Sequence, residues 1–521
     1  MAKVELSTLA RSSVVAWLAE AWRIGSRLIL TPIVWSQLGK DGAGVWVLVF
    51  SLTNLVSMVN ASFGIAYTKA TAECFRTNDK DRLERVLGSG MLTIGGIAIF
   101  AMLLFWLLGP RILGALEVPA AWIPDAHIAL LLVMFALVLR MSFGCAIEVL
   151  AGLQRVDLQY RLAILASVIE FCISVPMLLT GHGLVGMGIA FATGQAVSIA
   201  LAFMLARKHA PGLRISPLRW SKAGVHEVFS MGGRFQLLGI VTTLVTEGVK
   251  FLMSKMLGVS WVAIYDVCDK LLTLGKSVSS SVLAPLMPAF ADLQAGGEQA
   301  RERSLFAQSS KALALLSCGA FTFIAVLANP VLLAWTGETV AEAALAVQIL
   351  VIGEVVMLQT GVVSANLRAR GMVRMEFTCA MVSISIVLVT VYPLVQWLDF
   401  QGIVVARLLS QTIAALWYMR AYFRWAQLPW TQYVSDAQLP RVLAVVGIAG
   451  AVTLAGHLVL APLLDGRIGA RAAAGLEVMV LSVPYTLVLL LGILRHALGP
   501  DEKAKLAALV QRKLGKLRNR G

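Results

Sequence analysis

Fourteen apolar stretches, joined by short polar loops, constrain this chain more than any other feature of its sequence. An α-helix needs about 20 mainly apolar residues to cross the hydrocarbon core of a bilayer. The stretches fall at 14–38, 45–68, 86–108, 126–150, 162–180, 184–206 and 228–256. They continue at 261–287, 312–335, 341–367, 377–397, 403–423, 442–464 and 472–494. Hydrophobic residues make up 58% of the 521 positions and charged residues 14%. Soluble domains hold about 45–50% and about 25%, so the solvent for this chain is lipid. The sequence predicts an all-α membrane protein with fourteen transmembrane helices.

The loops fix an orientation. One alternate set holds Lys69, Arg76, Lys80, Arg82 and Arg85, then Arg155 and Arg161, then Arg207, Lys208, Arg214, Arg219 and Lys222. It continues with Arg301, Arg303 and Lys311, with Arg368, Arg370 and Arg374, and with Arg420, Arg424 and Arg441. The opposite loops hold only Lys40, Arg111, Lys255, Arg467 and Arg471. Positively charged loops stay in the cytoplasm, which puts both termini there. The formal charge of +15 is therefore read as a topology signal, and no nucleic-acid partner is expected.

Three short matches recur with similar offsets. Gln37-Leu38-Gly39 ends the first stretch and Met256-Leu257-Gly258 the seventh. Ala151 to Arg155 follows the fourth, and Ala365 to Ala369 the tenth. Gly186 and Gln195 in the sixth match Gly402 and Gln411 in the twelfth. Six spans separate the copies, an even number, so the repeat is parallel. The expectation is two six-helix lobes in a parallel pseudo-two-fold repeat, facing each other across a central cavity, plus two C-terminal helices. The boundaries are 1–208 for the N-terminal lobe, 209–425 for the C-terminal lobe and 426–496 for the two additional spans. Residues 497–521 form a basic cytoplasmic tail. There Leu506, Leu509, Val510, Leu514 and Leu517 share a stripe and Lys503, Lys505, Arg512, Lys513 and Lys516 cover the rest. That pattern suits an interfacial helix on anionic lipid or a basic topology signal.

No catalytic motif is present: Walker A, GxSxG and paired-histidine metal spacings are all missing. The six cysteines form no CxxC pair and read as buried apolar residues. Chemistry is expected instead from charges inside the spans, which are costly in hydrocarbon and face a cavity or a partner. Glu20, Arg23 and Arg27 share one face of the first span. Guanidinium groups bind phosphate oxygens in bidentate fashion, so this face suits a phosphate, or else Glu20 neutralises one arginine and the face docks on a neighbour. Arg140 lies in the fourth span, with Glu170 or Glu20 as possible partners, and Glu148 reads as a snorkelling interfacial residue.

The seventh span holds Arg234, Glu247 and Lys250. The eighth places Asp266, Asp269, Lys270, Thr273 and Ser277 on one face, with Lys276 beside them. Glu247 with Lys250, or Asp266 with Lys270, can equally be salt bridges within one helix. In the second span Ser51, Asn54, Ser57 and Asn60 can hydrogen-bond a sugar or join helices. Glu354, Arg407 and Glu477, the last expected near the outer interface, complete the set.

Several segments resemble the Wzx-type polysaccharide flippases, a branch of the multidrug/oligosaccharidyl-lipid/polysaccharide exporter superfamily. They are Arg27 ahead of Leu38-Gly39, the run Gly44-Val-Trp-Val-Leu-Val-Phe-Ser51, and Phe63-Gly64-Ile65 leading into Ala72-Glu73. Gly152-Leu-Gln-Arg155 and the doubled six-span plan also fit. The resemblance implies a flippase of the bacterial inner membrane that moves oligosaccharides on undecaprenyl pyrophosphate to the periplasmic leaflet by alternating access, for surface polysaccharides such as O-antigen. It implies no enzyme activity and no cofactor other than coupling to Na⁺ or H⁺. Its partners would be lipid-linked oligosaccharide, membrane lipids, a polysaccharide polymerase and a chain-length regulator.

Under that resemblance Arg23, Arg27, Arg140, Lys270 and Lys276 would hold pyrophosphate, and Asn54 and Asn60 the sugar. Glu247, Glu354, Asp266 and Asp269 would serve ion coupling. Two other readings compete. A multidrug antiporter of the same superfamily usually has twelve spans and cationic substrates. A glycosyltransferase or ligase would call for a large outer loop or an acidic or histidine motif, and every outer loop here is short.

Overall fold

The structure, a computed structural model, describes residues 6–60, 63–464 and 469–497. The tail over 498–521, with its expected stripe, lies outside the described residues, and so do the side chains of Asn60 and Arg234. Among the described residues all regular structure is helical. The first helices are α1 (Leu6–Ser57), α2 (Phe63–Thr77), α3 (Lys80–Ala115), α4 (Ile123–Phe143), α5 (Cys145–Gly152), α6 (Val156–Leu179), α7 (Gly183–His209) and α8 (Lys222–Leu257). Then come α9 (Val259–Leu283), α10 (Leu286–Ala295), α11 (Gln299–Val326), α12 (Ala328–Thr336), α13 (Ala341–Ala369) and α14 (Arg374–Ala426). The chain closes with α15 (Trp430–Asp436), α16 (Leu439–Leu464) and α17 (Ala470–Gly492).

Nine helices among the described residues are long and apolar enough to cross a membrane. Helices α1 and α9 are not among them, because charged side chains interrupt their apolar runs. Helix α14 counts once but is 53 residues long. At 1.5 Å per residue that is about 80 Å, more than twice the hydrocarbon thickness. It breaks at Asp399, whose φ of 47° and ψ of −125° are not helical. Its two limbs match the stretches 377–397 and 403–423. Helix α1 breaks in the same way at Gly39. The stretch at 126–150, expected as one helix, is divided at Gly144 into α4 and α5.

The breaks carry the repeat more clearly than the sequence matches do. A φ in the left-handed region is uncommon outside glycine. Such residues end helices at Gly39, Asn78, Glu117, Gln154, Gly181 and Gly212, and again at Gly258, Gly297, Gly337, Gly371, Asp399 and Gln427. The second series follows the first at separations of 219, 219, 220, 217, 218 and 215 residues. Two series of six corners with nearly constant spacing describe one six-helix plan used twice, followed by α16 and α17.

By packing, the chain divides into two compact units, residues 1–267 and 268–521. In the first, α1 packs against α4, α6 and α8, and α4 and α6 against α7. Helix α8 belongs to this unit because it also lies on α2 and α3. In the second, α13 packs against α11 and α14, and α16 and α17 pack together against α11 and α12. Phe100, Leu103, Trp106 and Leu107 stand exposed along α3, a face that only lipid can solvate.

One close approach fixes a glycine. A Cβ on Gly44 would stand 1.9 Å from the carbonyl oxygen of Val259, at the start of α9. Backbone cannot move aside as a flexible side chain can, and overpacking costs about 1–3 kcal/mol or more. Gly44→Ala is expected to lower the unfolding temperature of the purified protein, read by intrinsic fluorescence. Gly248→Ala, where a Cβ meets open space, serves as the matched control with an unchanged melt.

Candidate functional site

The first unit holds a polar cavity of about 370 Å³. It sits where two spans both break: α4 gives way to α5 at Gly144, and α1 to α2 beyond Ser57. Arg140, Glu148, Tyr67, Ser57 and Gly144 line it. Glu148, expected as a snorkelling residue, lines this cavity and accepts a hydrogen bond from Thr68 Oγ1 at 3.3 Å. Nothing along the chain singles out Tyr67, which stands at the end of an apolar stretch. Its side chain is buried and its hydroxyl has no hydrogen-bond partner among the described residues.

The three arginines expected at the site, Arg23, Arg27 and Arg140, differ in their surroundings. Arg23 Nε donates to Glu20 Oε2 at 2.8 Å, and a second, shorter contact completes a two-pronged pair. The expected neutralisation of one arginine by Glu20 thus falls on Arg23. Arg27, one turn further along α1, and Arg140 on α4 form no ion pair or side-chain hydrogen bond among the described residues. Both are exposed on the protein surface although they lie within apolar stretches. A guanidinium at that depth is not stable against lipid chains, so each faces water or an anion. Neither Glu20 nor Glu170 is the ion-pair partner of Arg140.

Glu247 on α8 is buried and accepts from Lys250 Nζ at 3.0 Å and from Asn54 Nδ2 at 2.9 Å. The amide of Asn54 thereby joins α1 to α8. Asp266 and Lys270 on α9 both have polar or electrostatic partners.

The second unit contains a compact ionic network. Glu354 of α13, 3% exposed, accepts from Arg407 Nη2 at 2.6 Å, Gln411 Nε2 at 3.0 Å and Lys276 Nζ at 3.3 Å. Asp269 accepts from the same Arg407 nitrogen at 2.9 Å and stands 3.8 Å from Lys276. Two carboxylates and two cations balance formally, and three helices (α9, α13, α14) meet there. Lys276 is committed to carboxylates in this arrangement, as Arg27 and Arg140 are not. Sequence reading singled out Glu354, Asp269 and Lys276 separately and met Gln411 only as a repeat match. The charges share no sequence neighbourhood, so nothing along the chain shows that they converge. In the last two helices Glu477, 5% exposed, pairs with His457. Among the described residues no group of histidine, cysteine and carboxylate side chains could hold a metal ion.

Broken helices, charges inside apolar stretches and a duplicated six-helix plan describe a multi-pass membrane protein. The fold is similar to that of the lipid II flippase MurJ in an inward closed conformation, with a TM-score of 0.69 at 11% identity, covering 92% of this chain and 97% of that one. It is also similar to an inward-facing multidrug resistance MATE family transporter of the MOP superfamily, with a TM-score of 0.68 at 13% identity, covering 77% and 96%. A MOP superfamily transporter from Pyrococcus furiosus aligns with a TM-score of 0.61 at 13% identity, covering 80% and 95%. No curated protein matches the chain. A family model described as polysaccharide biosynthesis protein matches residues 44–345, more than half of the sequence, and the chain belongs to that family.

Proposed function

We propose that this protein is a flippase that moves undecaprenyl-pyrophosphate-linked oligosaccharides from the cytoplasmic to the periplasmic leaflet of the inner membrane by alternating access. One observation carries the reading: Arg27 and Arg140, inside apolar stretches of the sequence, are exposed and have no carboxylate at ion-pair distance among the described residues. Stripping water from a charged head group costs several kcal/mol per ion, which only fixed opposite charges and donors offset. Membership of a polysaccharide biosynthesis family and a transporter fold support the same reading. The arginines would take the pyrophosphate oxygens, joined by the Tyr67 hydroxyl beside Arg140. Arg23, Lys270 and Lys276 would be held in reserve by their present partners. Na⁺ or H⁺ coupling, where it operates, would draw on Glu354 and Asp269 or on Asp266 and Glu247. Both termini would lie in the cytoplasm, on the arginine-rich side.

Two measurements test the function. In a strain lacking this gene and any paralogue, surface polysaccharide should be lost and lipid-linked repeat units should accumulate in the membrane. Normal export, or a change confined to drug sensitivity, would point instead to a multidrug antiporter. The second measurement addresses Tyr67. Tyr67→Phe removes a buried hydroxyl that has no internal partner, so the fold loses nothing. It should lower the initial rate of flipping in proteoliposomes about 5–20-fold, on the scale of one charge-assisted hydrogen bond of about 1–2 kcal/mol, with an unchanged melting temperature. An unchanged rate would remove Tyr67 from the site.

A further inference from the structure

A second cavity, of about 220 Å³, lies in the second unit at the ends of α11, α13 and α14, beside α15. These ends adjoin the arginine-rich loops, with Asn366 and Tyr422 in the last residues of their apolar stretches. Its walls are aromatic. Phe306 stacks on Tyr422 with centroids 5.5 Å apart, Tyr433 meets Phe306 edge-on, and Trp425 stands 5.9 Å from Tyr422 with 40% of its surface exposed. Its floor is polar and firmly held. Glu302 Oε1 accepts from Asn366 Nδ2 at 2.7 Å, Arg370 Nη2 at 2.7 Å and Gln294 Nε2 at 3.0 Å.

Those bonds fix the Asn366 amide. Its nitrogen must face the carboxylate, since the reverse orientation would set oxygen against oxygen. The carbonyl oxygen Oδ1 is then left buried, in a residue 2% exposed, with no hydrogen-bond partner among the described residues. An unsatisfied buried acceptor costs about 1–3 kcal/mol, and a donor supplied by a ligand removes that penalty. The charged side chains of the lining are Glu302 and Asp436 against Arg303 and Arg370, which cancel formally. A balanced pocket has no field to draw phosphate or another anion. Aromatic faces, an orphaned amide oxygen and the exposed amides of Gln299 and Gln432 suit a neutral ring with an apolar face and hydroxyl edges. The volume is below the roughly 300–1,000 Å³ of drug-sized sites, so it admits one or two such rings.

We propose that this pocket is a saccharide-binding site for neutral pyranoses on the cytoplasmic side, separate from the arginine site and sharing no residue with it. A sugar ring packs its C–H face on Trp425, and one hydroxyl donates to Asn366 Oδ1. The proposal does not rest on the transport reading. The test uses the full chain in lipid nanodiscs and saturation-transfer difference NMR with methyl glucoside and N-acetylglucosamine, with glucuronate and inorganic phosphate as anionic probes.

Saturation transfer to both neutral sugars is expected at millimolar concentration, with no displacement by phosphate. Trp425→Ala, at a position 40% exposed whose ring also contacts Tyr422 and the Arg370 guanidinium, and Asn366→Ala should each weaken that binding at least tenfold, with the melting temperature measured alongside. Arg27→Ala should leave it unchanged, which separates this pocket from any sugar contact in the transport path. Failure of the native protein to bind either neutral sugar, binding that survives Trp425→Ala at native melting temperature, or a preference for glucuronate or phosphate would each overturn the proposal.

Discussion

Replacing Arg27 or Arg140 by alanine is expected to abolish surface polysaccharide while the protein accumulates in the membrane at its normal level. The two halves of that result have separate causes. Neither guanidinium has a carboxylate at ion-pair distance among the described residues; Arg27 interacts only at longer range with Glu170, and Arg140 with Glu148, so truncation breaks no salt bridge and costs the fold little. The bound pyrophosphate, by contrast, would lose a charge-assisted partner in a site of low dielectric. Truncating one side of such a contact costs about 2–5 kcal/mol, or about 30-fold to several thousandfold in affinity. Lysine at either position restores the charge but not the two-pronged geometry, so Arg27→Lys and Arg140→Lys should recover export only in part. Abundance is followed by immunoblot of membranes and export by surface polysaccharide staining. Full export by either alanine variant would take that arginine out of the site, and full export by both would leave the transport reading without its main support.

Much of the fold was legible along the chain, for a physical reason. Lipid forbids unsatisfied backbone, so long apolar runs translate directly into helices, and the described residues of the apolar stretches are almost all helical. The parallel repeat was visible as three short matches, and Gly39 and Gly258 of the first match both proved to be left-handed corners, with φ of 66° and 97°. Gly44 and Gly152, quoted for the family resemblance, are positions where a Cβ would meet Val259 backbone at 1.9 Å or Thr71 Cβ at 2.5 Å. Their place in the motifs is steric.

The pairing of charges was much less legible. A helix face tells which residues point the same way, but not which helix stands opposite. Arg407 and Glu354 are 53 residues apart and 2.6 Å from contact, a relation set entirely by how α13 and α14 cross. Tyr67 went unremarked, and its proximity to Glu148 unforeseen, for a related reason. Their cavity exists only because two spans break at the same level, and hydropathy is blind to a break inside an apolar run.

The ionic network of the second unit leads to the other large effect, and it falls on stability. Glu354 is 3% exposed and takes hydrogen bonds from Arg407, Lys276 and Gln411. Glu354→Gln removes the charge that the two cations share and leaves Asp269 alone against both. Breaking a buried pair from one side costs about 3–5 kcal/mol, because a charge is left uncompensated. The variant should lose several degrees of melting temperature and much of its membrane abundance. Arg407→Gln should do the same from the other side.

The pair of changes together decides between a network and two independent losses. In Glu354→Gln with Arg407→Gln, the remaining Asp269 and Lys276 still balance, and the two amides can bond each other. The double variant is expected to be more stable than either single one, with a coupling of about 1–3 kcal/mol. Additive losses would mean that the charges act separately. A fully stable Glu354→Gln would show that water reaches this carboxylate and that its burial is incomplete in the membrane. Transport by the double variant then separates two roles. Recovered stability without recovered export would assign these carboxylates to ion coupling or to a moving contact, and recovery of both would leave them the structural task of holding α9, α13 and α14 together.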